Sequence, residues 1–396
     1  MKIKIKGKRR TALRVVLCIV LPIAFLCVLI CNSFIPRSFA DFYGAKIFPY
    51  LTIPLQSLNM FFQNSMTENI VVCLAPIAIA GLIVWLVFLI KKMLTKGAAE
   101  YFYKAFRNVM IIGIVAAVMF QLFHGFNYKR TNIATELELT GKELTYEDYV
   151  GALNWAYMGM IEARSHLGED YNGVAHMSTS FENSATHACS LLDAYSEKYG
   201  IPLSDNYVRP KPVSMSHYWS YTHIVGVYDM FLCEANINTD YMSVTDFPIT
   251  ICHELCHAKG YASETDCNLL ATLACCSSSR ADFRYAGFHE IFWNLYYVTG
   301  YIAKAENKVM PQYAVTLEME PIYRDDRASE LYWRQIDEEV EHIRKVLGID
   351  ITETSTNVND AFLKGNGEDS GVDSYVVPDS IYVRYFLTHM AGEKDV

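Results

Sequence analysis

Three long apolar runs near the start of the chain restrict what it can fold into. They lie at about residues 11–31, 70–90 and 109–126, and each is close to the roughly 20 residues that an α-helix needs to cross a bilayer. Hydrophobic residues make up 52% of the chain and charged residues 19%, a composition typical of chains with membrane segments. We therefore expect residues 1–126 to form a membrane anchor of three transmembrane helices in a lipid bilayer. A buried core helix is the alternative for the third and shortest run.

The placement of lysine and arginine predicts the orientation of these helices. The first ten residues carry six basic side chains and no acid, and five basic residues against one acid lie between the second and third runs, Lys96 among them. The loop at residues 32–69 has two of each sign. Because basic loops stay in the cytoplasm, we expect a cytoplasmic N-terminus and an extracytoplasmic chain after Phe126, although Lys129 and Arg130 oppose this. The first run is too long for a cleavable signal peptide.

Residues 127–396 are expected to form one outer domain of mainly helical α+β character with a small sheet. Apolar residues at helical spacing predict helices at residues 144–168, 183–200, 288–306 and 328–348. Residues 223–238 are rich in β-branched and aromatic side chains and predict one strand.

The cysteines after residue 126 stand mostly at apolar positions, so buried thiols are expected rather than disulfides. With a net charge of −9 and basic residues concentrated at the membrane, nucleic acid is not an expected partner.

The stretch "TICHELCHAKGYASETDCNLL", residues 250–270, holds the residues that point to chemistry. His253 and His257 are four apart, so on a helix both rings lie on one face and can bind one metal ion, with Zn²⁺ the expected cofactor. Glu254 lies beside them, where it can take a proton from zinc-bound water. The pattern is short, however, and an ordinary helix carrying two histidines is the alternative.

A second helix is expected to complete the site. The first helix should begin near residues 246–248 and end near Gly260, and Ser263 with Asp266 has the spacing of a capping box that starts the next helix. Glu264 is then the expected third ligand, with Asn268 in the second shell orienting a ligand histidine. Asp266 competes for the ligand position, but capping would account for it.

The segment "HELCHAKGYASETDCN" resembles the glutamate-zincin (gluzincin) metallopeptidases, in which a carboxylate opening a second helix is followed four residues later by Asp or Asn. The chain also resembles an uncharacterised bacterial family of membrane-anchored H-E-x-x-H proteins, through "GVYDMFLCEANIN", "FPITICHELCHAKGYASETDCNLLATLAC", "FRYAGF" and "VNDAFLKGNGEDSGVDSY". The resemblance implies a zincin-like catalytic domain and no particular substrate. Asp266 stands where that family usually has Glu, Cys267 where gluzincins usually have Ala, and "SYVVPDS" replaces a glycine-containing ending.

Weaker expectations concern residues outside this motif. Tyr285 is a candidate oxyanion donor, with His217 and His223 as second candidates. The strand at residues 223–238 is either a core strand or an edge strand to which an extended substrate adds. His289 is expected to be structural, and Arg284 to pair with a carboxylate.

The expected function is hydrolysis of peptide bonds in an unidentified peptide or protein by a membrane-anchored zinc metallopeptidase. The alternatives are a non-catalytic zinc-containing receptor or scaffold and a zinc amidohydrolase that acts on the cell wall.

Overall fold

The computed structural model describes residues 2–93, 98–139, 141 and 143–391. Lys96 and the last five residues of the expected outer domain, 392–396, lie outside the described residues.

Three long helices near the N-terminus correspond to the three apolar runs. Each contains a stretch that is long and apolar enough to cross a membrane, at Ala12–Leu29, Met66–Met93 and Ala98–Phe123. The helices themselves are α1 (Lys2–Leu29), α4 (Met66–Met93) and α5 (Ala98–Phe123), and α1 and α4 both pack against α5. The third helix starts well before the predicted run, because the preceding residues continue its helical spacing of apolar side chains. The prediction of three membrane-length helices is confirmed, and it indicates association with a membrane.

The segment between α1 and α4 packs onto the later part of the chain. Its helices are α2 (Arg37–Lys46) and α3 (Phe48–Asn59). The Gln56 amide donates to the carbonyl of Ala258 at 3.0 Å. The Glu68 carboxylate, in the first turn of α4, accepts backbone N–H groups of Ser214 and Met215 at 2.8 and 2.6 Å. This segment, which the sequence grouped with the membrane anchor, therefore forms one body with the outer domain.

The described residues after 126, which together with residues 37–69 make up what we call the outer body after its expected location, are mainly helical, as predicted. Its helices are α6 (Ile133–Glu136), α7 (Tyr146–Ser165), α8 (Phe181–Tyr199), α9 (Ser216–Ser220), α10 (Phe247–Ala258), α11 (Glu264–Cys276), α12 (Ala281–Ala305), α13 (Glu320–Leu347), α14 (Ile351–Gly365) and α15 (Asp379–Tyr385). Helix α10 lies at the centre of the core and packs against α8, α11, α12 and the sheet, while α7 lies along α12. The seven cysteines after residue 126 are buried free thiols, as predicted.

A small sheet covers one side of α10. Its strands are β1 (Lys211–Pro212), β2 (Gly226–Asp229) and β3 (Glu234–Ile237), in the order β1-β3-β2. Strand β3 pairs in parallel with β1 and antiparallel with β2, with Val227 opposite Asn236. Strand β2 is therefore an edge strand beside α10.

The prediction of a single strand at residues 223–238 was wrong, because the segment folds into a hairpin. The Asp229 carboxylate accepts the backbone N–H groups of Phe231 and Leu232 at 2.7 and 3.1 Å, which closes a turn of the kind that Asp favours. Cys233 adopts a positive φ of 52° as the chain enters β3. The turn breaks the run of strand-forming residues and leaves β2 at the edge of the sheet.

Candidate metal centre

Helix α10 has the bounds that the sequence predicted. It begins at Phe247 with Pro248 in its first turn and ends at Ala258, and Gly260 follows with a φ of 105°. That left-handed conformation favours glycine and lets the chain turn back. His253 and His257 consequently lie on one face of a buried helix.

Helix α11 begins at Glu264, as predicted, but its capping box is absent. Ser263 occupies the N-cap position without a side-chain hydrogen bond to the helix. The Asp266 carboxylate instead accepts the backbone N–H of Ile133 at 2.8 Å, and burial raises the pKa of Asp266 to about 7. The local spacing could not reveal this, because the partner belongs to α6, more than a hundred residues earlier. Asp266 supports the fold near the site and contacts none of the clustered ligand atoms by hydrogen bond.

Three side chains converge where α10 meets α11. The Glu264 Oε2 atom lies 3.0 Å from His253 Nε2 and 3.3 Å from His257 Nε2, and the two Nε2 atoms are 3.0 Å apart. Bonds of about 2.0–2.1 Å to a tetrahedral zinc ion place ligand atoms about 3.3 Å from one another. These three residues could therefore hold a metal ion.

The outer hydrogen bonds of the histidines occupy both Nδ1 atoms and leave the Nε2 atoms to face Glu264. His257 Nδ1 donates to the carbonyl of Tyr261 at 2.9 Å, and His253 Nδ1 donates to Asn268 Oδ1 at 2.6 Å. The Asn268 amide nitrogen donates to the carbonyl of Tyr375, which fixes the direction of the amide. With both Nδ1 atoms protonated, each ring in its neutral form, the form that binds a metal, turns an Nε2 lone pair towards Glu264.

The electrostatics of the cluster favour a bound cation. Burial would lower the pKa of His257, but the Glu264 carboxylate raises it to about 9. Burial would likewise raise the pKa of Glu264, but the two histidines hold it well below its ordinary value. Glu264 Oε2 is also buried without a hydrogen-bond donor. The cluster thus keeps Glu264 ionised and favours a positive charge next to it. A metal ion bound between the three side chains would supply that charge.

Glu254 lies beside the cluster and against the edge strand. The backbone of Tyr228 lies near enough to influence the pKa of Glu254, and a Cβ on Gly226 would stand 2.5 Å from the Glu254 Oε1 atom. Burial raises the pKa of Glu254, while His253 and His257 oppose that shift. A carboxylate with a raised pKa is a better proton acceptor.

The cluster opens into a cleft. A cavity of about 430 Å³ is lined by His253, Glu254 and Asn268, by residues 222–226 and by α14. It shares His223 and Thr250 with a second cavity of about 650 Å³. The cleft is therefore large enough for several residues of an extended peptide.

Tyr375 is a site residue that the motif search missed. Its hydroxyl lies close enough to the Glu264 carboxylate and to Asn359 for both to influence its pKa, and its ring stacks on His253 with centroids 6.0 Å apart. Tyr375 closes a 3₁₀ turn at residues 371–375, after α14. Both Tyr375 and Asn359 lie within "VNDAFLKGNGEDSGVDSY", so the resemblance contained the signal that could have identified them.

Tyr285 is not brought to the cluster. Its hydroxyl donates to the Asp325 carboxylate at 2.9 Å inside the core, where Arg164 also pairs with Asp325, and Tyr285 does not line the cleft. This contact does not fit the predicted oxyanion role, because the hydroxyl already has a buried acceptor.

The other three histidines singled out in the sequence, His217, His223 and His289, and Arg284 have protein partners. His223 lines the cleft, and its Nε2 atom lies 2.8 Å from Asp337. His217 contacts Asp240 and Glu339, and His289 contacts Asp326. The expectation that Arg284 pairs with a carboxylate is confirmed by its contact with Glu162 at 3.1 Å.

Comparison with known proteins gives a family. Residues 43–377 match the family described as Protein of unknown function (DUF3810). The chain belongs to the DUF3810 family. The DUF3810 match begins in α2 and ends just after Tyr375, so it includes the cluster and most of the segment between α1 and α4. No curated protein and no solved structure matches the chain.

Proposed function

We propose that this DUF3810 protein is a membrane-anchored zinc metallopeptidase with a zincin-like catalytic domain outside the cytoplasm. The observation that carries the proposal is the convergence of two imidazole lone pairs and one carboxylate oxygen beside a second carboxylate, at an open cleft. A structural zinc site usually fills all four positions with protein ligands, whereas a catalytic site has three and leaves one open.

The donor set favours zinc over other common metals. Neutral imidazole suits Zn²⁺, whereas Ca²⁺ and Mg²⁺ prefer sites built from oxygen atoms. His253, His257 and Glu264 would hold the ion. When bound, zinc would supply Lewis acidity that makes water a nucleophile near neutral pH.

The protein side chains around the ion have distinct roles in the proposed reaction. Glu254 accepts the proton of the attacking water and returns a proton to the amine that leaves. Gly226 and Tyr228 hold the Glu254 carboxylate in place from the edge strand. Asn268 positions His253 through a hydrogen bond, and Tyr375 packs its ring on His253 with its hydroxyl near Glu264.

Strand β2 is suited to hold an extended substrate. It is the edge of the sheet, and within the described residues no strand pairs with its outer side. Residues 222–226 line the cleft next to His253 and Glu254. An extended peptide could add to this edge by main-chain hydrogen bonds, which would bring one of its carbonyl groups over the cluster.

The packing of residues 37–69 supports three membrane crossings. The outer body includes this segment as well as the chain after α5, so both must lie on the same side of a membrane. The two parts of the chain lie on the same side if α4 crosses the membrane in one direction and α5 crosses it back. The excess of Lys and Arg on the other side then places the outer body outside the cytoplasm.

The test uses the full chain in detergent micelles or vesicles, loaded with zinc, and the Glu254→Gln variant as its matched control. Peptide-library cleavage and zinc content are measured for both. We expect one zinc ion per chain in both proteins and turnover in the wild type alone, reduced in the variant by about 10²–10⁴ as for a lost general base. Cleavage of cell-wall amides but not of peptides would identify an amidohydrolase. No cleavage of either by the zinc-loaded wild type would favour a receptor or scaffold.

A further inference from the structure

The candidate metal centre lies directly above the end of a membrane-length helix. His124 follows α5 immediately, and its buried ring lies 5.7 Å from the ring of His257 and 5.9 Å from that of Tyr228, centroid to centroid. Tyr128, one turn further on, is hydrogen-bonded to His124 at 3.2 Å. A single layer of side chains therefore separates a proposed zinc ligand from the last turn of α5.

An apolar groove continues from the cleft on the side of α14. It has a volume of about 570 Å³, and we call it the α14 groove. It shares Ile224, Gly226, Asn359 and Tyr375 with the cleft. Its remaining lining is mainly aliphatic and aromatic: Val227, Ile349, Ile351, Val358 and Phe362. Exposed aliphatic side chains in such a groove are typical of a binding surface.

The α14 groove is tied to the membrane end of the molecule. The Phe362 ring lies 6.0 Å from the ring of Phe120, in an edge-to-face contact. Phe120 belongs to the last turn of α5 and lies within its membrane-length stretch. The exposed fractions of Val358 and Ile349 are 66% and 54%. The groove therefore opens at the level where α5 leaves the bilayer.

We propose that the α14 groove receives the apolar, membrane-proximal segment of a membrane-anchored polypeptide and feeds the residues next to it into the cleft. The order of surfaces supports this occupant. A chain leaving a bilayer presents apolar residues first and polar residues next, and the protein presents the α14 groove beside the end of α5, followed by the cleft that carries the polar side chains of His253, Glu254 and Asn268. Cleavage of this substrate rests on the proposed function, whereas its binding in the groove does not.

The test uses a defined probe and the full-length Glu254→Gln protein in lipid vesicles. The probe is a single-span polypeptide with an apolar helix, a randomised stalk and a soluble tag. A second version separates the stalk from the helix by a flexible spacer of about 30 Gly and Ser residues, and a third has no helix. A photoreactive benzophenone side chain replaces Val358 in the groove or, as the control, Asn357, which is exposed on the same helix and does not line the groove.

Crosslinking to position 358 should favour the version with the stalk next to the helix. Burying an aliphatic segment in the groove should strengthen binding by about tenfold or more, so the spaced and unanchored versions and position 357 should give correspondingly less product. Equal crosslinking of all versions at both positions would overturn the inference. So would exclusive crosslinking of position 358 to phospholipid, which would assign the groove to a lipid chain.

Cleavage of the three probes by the wild-type protein separates this inference from the proposed function. Selective crosslinking without any cleavage would leave the groove inference standing and contradict the peptidase. Cleavage of all three versions without selective crosslinking would support the peptidase and overturn the groove inference. Preferred release of the tag from the version with the stalk next to the helix, together with selective crosslinking, supports both.

Discussion

The backbone of Gly226 lies directly against the carboxylate of Glu254. A Cβ at Gly226 would stand 2.5 Å from the Glu254 Oε1 atom, closer than two non-bonded atoms can approach. The backbone of strand β2 therefore contacts the side chain of Glu254, the proposed general base, and only glycine at position 226 leaves room for this contact.

Gly226→Ala should displace the base without emptying the site. Because the three clustered ligand residues are untouched, zinc content should stay at the wild-type level. Turnover should fall by about 10²-fold, within the range for a misplaced general base. The control is Gly300→Ala in α12, where a Cβ meets no atom within 4 Å and where alanine should stabilise the helix by about 0.5–1 kcal/mol. Full activity in Gly226→Ala would contradict the assigned role of Glu254.

Substitution of each clustered residue should release the metal. His253→Ala, His257→Ala and Glu264→Ala should each lose most of the bound zinc, measured as metal per purified chain. Asp266→Ala should keep its zinc but lose about 1–3 kcal/mol of unfolding free energy, since the Ile133 N–H would be left buried without an acceptor. A zinc-free Asp266→Ala alongside a zinc-loaded Glu264→Ala would reverse the choice of third ligand.

Asn268→Ala should loosen zinc without removing it. The Asn268 amide orients His253 through a 2.6 Å hydrogen bond, and loss of such an outer partner typically costs about 10–100-fold in metal affinity. Competition with a chelator measures the change. Asn357→Ala, at an exposed position on α14, is the control and should bind zinc as the wild type does. Equal affinities would show that the amide has no part in the site.

Two tyrosine variants should separate a site residue from a core residue. Tyr375→Phe removes the hydroxyl that lies near Glu264, so we expect weaker zinc binding and slower turnover at saturating zinc. Tyr285→Phe removes a hydroxyl bonded to Asp325 and should lower the unfolding free energy by about 1 kcal/mol, with zinc affinity and turnover per folded chain unchanged. Calorimetry, chelator competition and kinetics distinguish these results, and the reverse pattern would restore Tyr285 to the site.

A reporter fused after the C-terminus tests the orientation. An alkaline phosphatase domain there should be active, because the Lys and Arg bias predicts that this end lies outside the cytoplasm. A cytoplasmic reporter at the same position should be inactive. An inactive phosphatase together with an active cytoplasmic reporter would place the C-terminus in the cytoplasm. Because residues 37–69 pack on the outer body, that segment would then lie in the cytoplasm as well.

Much of the site could be predicted because its information is local. His253 and His257 are one helical turn apart, and Gly260 separates their helix from the one that Glu264 opens. Periodicity, proline and glycine therefore located both helices, and the start of the second helix supplied Glu264 as the candidate third ligand. Hydropathy located the three membrane-length helices for the same reason, since each satisfies its backbone hydrogen bonds within a single continuous segment.

Tertiary packing alone decided the surroundings of that cluster. Tyr375 and His124 reach it from segments more than a hundred residues away, and Asp266 turns from its expected cap to Ile133 in α6. No spacing along the chain encodes such contacts, because they depend on which distant surfaces are buried against each other. The sequence by itself determined the helices and the chemistry they carry. The packing of α5, α14 and the edge strand around α10 decided where the cleft opens and which side chains face it.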